Sequence, residues 1–163
     1  MDRLWAPWRL EYVTAEEKDS HDGCLFCVKY AEDDDAKNYV VKRGKTCFCL
    51  LNIYPYNNGH LMVAPLRHVA DLSDLNMEER SEMMELAVEM KELLQKKINP
   101  HGFNIGINCG AIAGAGITDH LHLHIVPRWS GDTNFMPVIN DTRVIPQSLD
   151  ALYEILINEG SAD

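Results

Sequence analysis

Between residues 120 and 126 histidine and aliphatic side chains alternate without a break: His120-Leu121-His122-Leu123-His124-Ile125-Val126. A period of two is the period of extended backbone. It puts the three imidazoles on one face of a strand, with successive Cα atoms of the row about 6.7 Å apart, and Leu121, Leu123 and Ile125 on the other. One face of such a strand is built for a core and the other for chemistry. Three adjacent imidazoles are costly to bury without partners and cannot all be charged cheaply near neutral pH, so at least one is expected to stay a neutral nucleophile. An imidazole nitrogen attacks phosphorus readily and leaves readily, which divides a hard displacement into two easier ones. Spacing alone leaves two other readings open: ligands to a metal ion, or histidines paired within a core.

The rest of the chain has to supply one core for that strand. At 163 residues, 46% of them apolar and 25% charged, the chain has a globular composition and the length of a single domain. We divide it into an N-terminal arm over residues 1–38, a catalytic core over 39–130 and a C-terminal extension over 131–163. Two tryptophans in Trp5-Ala6-Pro7-Trp8-Arg9 imply that the arm is tethered, either in the core or at an interface or substrate pocket. The acidic run Glu32-Asp33-Asp34-Asp35 reads as a solvated turn. β-prone runs at Tyr39–Lys42 and Cys47–Leu51 flank Arg43-Gly44-Lys45, where glycine tolerates a positive φ, and predict an antiparallel hairpin. Pro55-Tyr56-Asn57-Asn58-Gly59 turns the chain into a third predicted strand, His60–Ala64, ended by Pro65.

Asn76 and Glu79 have capping-box spacing, and Met83, Leu86, Ala87, Met90, Leu93 and Leu94 recur at helical spacing. They predict one long helix over about residues 76–98, its methionines in the core, stopped by Asn99-Pro100. Predicted strands at Phe103–Ile107 and Leu121–Pro127 are separated by a loop from Cys109 to Gly116, whose glycines and alanines let a ligand approach the backbone. A short amphipathic helix is expected from Ser148 to about Asn158.

A formal charge of −10 repels polyanions and excludes the basic stripe of a nucleic-acid binder, so attraction to a phosphate must be local. No run approaches the roughly 20 apolar residues of a membrane span, and the N-terminus lacks a basic region followed by an apolar one, so a cytoplasmic protein is expected. The five cysteines are odd in number and too sparse for a disulfide scaffold. Cys24-Leu25-Phe26-Cys27 is half a zinc site, a redox pair or two free thiols, whereas Cys47, Cys49 and Cys109 read as packing residues.

These residues together resemble the histidine-triad superfamily of nucleotide hydrolases and transferases, whose signature is the run of residues 120–126. Asn52, Gly59-His60, the Pro65–His68 segment and the helix that follows stand in the family's order, so the likeness covers roughly residues 24–130. The resemblance implies an α+β fold, a five-stranded antiparallel sheet packed against one long helix. It also implies that two subunits pair into a continuous sheet, some members assembling further. His122 would attack the α-phosphate and form a nucleotidyl-histidine intermediate. His124 would contact the phosphate and leaving group, and His60 would complete a polar cluster with His120. Asn52 would hold the ribose hydroxyls, although by itself it also reads as a turn-former before Pro55.

After the triad, Pro127-Arg128-Trp129 resembles the fragile-histidine-triad branch and the bacterial diadenosine tetraphosphate phosphorylases. The stretch from Ser130 to Met136 and the opening Leu4-Trp5-Ala6-Pro7-Trp8-Arg9 look like the phosphorylase-like group. This implies adenine nucleotides and dinucleoside polyphosphates as substrates, with Asn108 and the loop near Gly116 lining the phosphate site and Trp129 beside it. Many members carry a glutamine and a serine or threonine just before the triad; here stand Ile117, Thr118 and Asp119, which leaves both water and inorganic phosphate open as acceptors. Members with the C-x-x-C close a structural zinc site with two histidines, which in this sequence are His68 and His120. No organic cofactor is implied. Two rival readings are a metal-dependent hydrolase with its ion on the histidine strand and a nucleotide-binding sensor without turnover.

Overall fold

The computed structural model describes residues 23–133 and 145–158. The Trp5–Arg9 stretch and the Asn134-Phe135-Met136 end of the second family-like stretch lie outside the described residues. In chain order the elements are α1 (Leu25–Ala31), α2 (Asp35–Asn38), β1 (Val40–Arg43), β2 (Cys47–Leu51), β3 (Leu61–Pro65), α3 (Met77–Ile98), β4 (Gly102–Ile107), β5 (Leu123–Arg128) and α4 (Leu149–Ile157). The strands form one antiparallel sheet in the order β1-β2-β3-β5-β4. This is the expected α+β architecture, a five-stranded sheet with one long helix and a short C-terminal one.

Alternation along the strands sorts side chains between two cores. Cys47, Cys49, Leu51, Leu61, Val63, Leu121, Leu123 and Ile125 meet Met83, Leu86, Ala87, Met90 and Leu94 of α3 and Leu152 and Leu156 of α4. The opposite face carries Phe48, Leu50, Met62 and Ala64, covered by Phe26 of α1. Because period two separates the sets, a slip of one residue in any central strand would exchange them.

The long helix starts and stops where its signals stand. The Glu79 N–H donates to Asn76 Oδ1 at 2.9 Å and the Asn76 N–H to Glu79 Oε2 at 2.8 Å, and Asn99 ends the helix in the left-handed conformation, φ 44°. The β1–β2 turn has a different cause from the one read in the sequence. Gly44 does not adopt a positive φ; a Cβ there would stand 2.6 Å from Glu82 Oε1 and 2.8 Å from the Cys47 carbonyl. Close approach, not backbone handedness, requires the glycine.

Other boundaries differ from the sequence reading. Within the N-terminal arm stand two short helices for which the sequence reading gives no element, α1 because Phe26 has an apolar face to cover and α2 because Asp34 caps it through the Lys37 N–H. The acidic run is not simply solvated: Glu32 accepts from Lys37 and Asn38, and Asp35 pairs with Arg43. Regular pairing of β5 begins at Leu123, not Leu121, because the Leu121 N–H leaves the ladder for the Val69 carbonyl at 2.7 Å. Cys109 is exposed rather than packed, since it follows β4 at the sheet's edge. No described helix is long and apolar enough to cross a membrane.

Candidate active site

The four histidines of the cluster are buried on the face of the sheet opposite α3, and a backbone or imidazole partner of each selects its tautomer. A carbonyl can only accept, so the ring nitrogen facing it must carry the proton. His120 Nε2 lies 2.9 Å from the Pro65 carbonyl, which leaves Nδ1 with its lone pair. His122 Nδ1 lies 2.8 Å from the His120 carbonyl, which leaves Nε2 unprotonated.

The reverse logic runs from His60 to His124. The Tyr56 N–H donates to His60 Nδ1 at 3.0 Å, so the His60 proton sits on Nε2, from which it is donated to His124 Nδ1 at 2.9 Å. His124 must then carry its proton on Nε2, and that buried atom has no partner among the described residues. A lone pair on His122 and an N–H on His124 are thus presented by neighbouring rings, their centroids 4.7 Å apart. This pairing suits nucleophilic attack beside a developing negative charge.

Burial keeps the row uncharged. It is the first cause lowering the pKa of His122 and of His120, and together with the charge that His122 would carry it takes His124 down to about 4. All three rings are therefore neutral at pH 7. Phe26 supplies much of the dryness, its ring 5.0 Å from that of His120 and 4.9 Å from that of His122, while Tyr56 stacks on His124 at 5.5 Å and 27°.

The lone pair on His120 Nδ1 faces Cys24 Sγ at 3.1 Å and Cys27 Sγ at 3.6 Å, and His68 Nδ1 lies 3.5 Å from Cys27 Sγ. One donor atom from each of Cys24, Cys27, His68 and His120 falls within 4.8 Å of the others, so the set can hold a metal ion. Burial, followed by the adjoining Cys24, pushes the Cys27 thiol up to about 11; a divalent cation among the donors reverses that preference by favouring thiolate. Two thiolates and two imidazoles with no open position are the donor set of a structural zinc site.

Of the other residues singled out in the sequence, Asn52 lies at the His60 end of the cluster, Nδ2 3.3 Å from His60 Nδ1 and Oδ1 accepting from the Tyr54 N–H at 2.9 Å. Asn108 donates to the Gly114 carbonyl at 3.3 Å and so braces the glycine-rich loop, in which Gly116 is exposed. The Trp129 indole N–H donates to the Asn99 carbonyl at 3.1 Å, at the end of α3. Phe26 and Tyr56 are site residues that the sequence reading does not single out; Phe26 stands inside the C-x-x-C and Tyr56 inside the turn before His60, which are the available signals.

A sequence profile described as the HIT domain matches residues 34–131. The AP-4-A phosphorylase of Mycobacterium tuberculosis is 39% identical over 98% of this chain and 84% of that protein. The asymmetrical bis(5'-nucleosyl)-tetraphosphatase of Schizosaccharomyces pombe is 32% identical over 57% of this chain and 50% of that one. A Zn-bound histidine triad family protein from Mycobacterium smegmatis superposes with a TM-score of 0.67 at 26% identity, over 83% of this chain and 91% of the other. The chain belongs to the histidine-triad family.

Proposed function

We propose that this protein cleaves dinucleoside polyphosphates of the diadenosine tetraphosphate type through a nucleotidyl-histidine intermediate on His122. The observation that carries the reading is the hydrogen bond from His122 Nδ1 to the His120 carbonyl, which leaves Nε2 as a buried neutral base on a ring whose orientation is fixed. His122 Nε2 attacks the α-phosphorus in line. The bond from that phosphorus to its bridging oxygen breaks, and the distal nucleotide departs with the electron pair. His124 Nε2–H supports the leaving oxygen. Water or inorganic phosphate then attacks the same phosphorus from the opposite side, which frees His122.

Asn52 would hold the ribose, Asn108 and the loop near Gly116 the phosphate chain, with Trp129 contributing from beyond β5. Cys24, Cys27, His68 and His120 would hold zinc, which pins α1, and with it Phe26, against the histidine row. We read the whole chain as one domain with its catalytic core over residues 39–130, working in the cytoplasm, where reduced thiols persist. Two copies would pair through the free edge of β4, where Ile105 is 43% exposed on the helix-side face, to make a continuous sheet.

The test is to incubate the protein with diadenosine tetraphosphate, with and without inorganic phosphate, and identify the products. ADP plus ATP marks a phosphorylase and AMP plus ATP a hydrolase. Absence of cleavage, and of an acid-labile adenylyl adduct on His122 with every nucleotide tried, overturns the reading in favour of a sensor.

A further inference from the structure

Asp132 has no part in the chemistry above, yet its side chain is 7% exposed and surrounded by donors. Its carboxylate accepts from Arg128 Nε at 2.6 Å and an Arg128 guanidinium N–H at 3.0 Å, from the Trp129 N–H at 3.1 Å and from Asn57 Nδ2 at 2.8 Å. The Asn57 amide also reaches the Pro127 carbonyl at 3.0 Å, and its Oδ1 accepts from the Asn58 N–H at 3.1 Å. Each polar group of that side chain is thereby engaged between β5 and the turn that opens β3. The residue before it, Tyr56, supplies the N–H on His60 Nδ1.

We infer that Asp132 is a positioning residue of the site: by clamping Asn57 it holds the Tyr56 N–H on His60 Nδ1, and so keeps the proton of His124 on Nε2, facing the reacting phosphate. The physical reason is that a chain of imidazoles has two tautomeric settings. With the Tyr56 N–H in place, His60 donates from Nε2 and His124 donates onward. With it withdrawn, His60 can carry its proton on Nδ1 and accept at Nε2, His124 must then donate from Nδ1, and Nε2 turns a lone pair toward phosphate oxygens. Asn52 Nδ2 is a second donor on His60 Nδ1, at 3.3 Å, so withdrawal weakens the setting without erasing it.

The inference rests on the role proposed for His124, but its first readout needs no substrate. Imidazole ¹⁵N shifts report which nitrogen of His60 and of His124 is protonated, and are recorded on the full chain above about pH 7.5, where free imidazole is neutral. In Asp132→Ala and in Asn57→Ala, which leaves the Arg128–Asp132 pair intact as a guard on folding, we expect the Nε2–H signature of both rings to give way to a mixture. We also expect kcat on diadenosine tetraphosphate to fall roughly ten- to a hundredfold while KM changes little, because a misplaced donor is felt most in the transition state. Asp132→Asn keeps an acceptor for the Asn57 amide and should restore both signature and kcat. Unchanged ¹⁵N signatures in the two alanine variants overturn the inference whatever happens to kcat. Turnover retained by His122→Ala would instead remove the reaction while leaving the tautomer result intact.

Discussion

A histidine nitrogen reacts with phosphorus only as the free base, so the nucleophilic role proposed for His122 depends on keeping its other nitrogen bonded to the His120 carbonyl, 2.8 Å away. His122→Ala should therefore abolish turnover, a loss of about a thousandfold or more, while nucleotide binding stays measurable by calorimetry. Full activity in that variant contradicts the assignment. The same burial makes the site sensitive to acid. His124 titrates at about 4 in the folded protein, and unfolded histidine at about 6.5. Between those values the unfolded state binds the extra proton, so stability rises with pH through this window and is lost as pH falls through it. Denaturant midpoints measured from pH 7 down to pH 4 should decline more steeply in the parent protein than in His124→Gln.

At the scale of elements, the turn between β1 and β2 is fastened to α3 by the carboxylate of Glu82. Glu82 accepts from the Lys45 N–H at 2.7 Å, the Cys47 N–H at 2.9 Å and both the N–H and hydroxyl of Thr46. Burial works against its charge, but the Thr46 hydroxyl and the three backbone donors outweigh burial and hold Glu82 at about 2. Glu82→Ala strands those donors beneath the helix and should cost roughly 2–3 kcal/mol, read as a lower denaturant midpoint at unchanged slope. A midpoint within error of the parent would show that water replaces the carboxylate. The capping box of α3 was legible in the sequence because Asn76 and Glu79 are three residues apart. The Glu82 clasp was not, because its donors lie more than thirty residues away and the spacing of chain segments says nothing about which helix face meets which turn.

For the molecule as a whole, the four donors that could hold a metal come from distant parts of the chain, Cys24 and Cys27 before the first strand and His68 and His120 within the connections of the sheet. A cation there would close long loops and tie α1 to the histidine row. Removing it with a chelator should lower the thermal midpoint by several degrees, while the chemical step, read by single turnover below that midpoint, is little changed. A proportional loss of single-turnover rate at intact fold would point to a catalytic ion. Assembly is tested at the β4 edge: Ile105→Lys places a charge on an exposed position of the free strand and should convert the proposed dimer to monomers in sedimentation velocity. Unchanged sedimentation would move the interface elsewhere.

Local periodicity carried the strands, the long helix with both of its ends, and the histidine row with its two-faced character, since each depends on residues within a turn or two of one another. The motif likewise carried the family. What the sequence could not contain is which nitrogen of each ring holds a proton, since that is set by the Pro65 carbonyl, the His120 carbonyl and the Tyr56 N–H, groups that every residue possesses and that become specific only when the chain is folded. Backbone atoms have no signature in a sequence. Their positions, together with the burial that keeps the imidazoles neutral, belong to the tertiary structure alone.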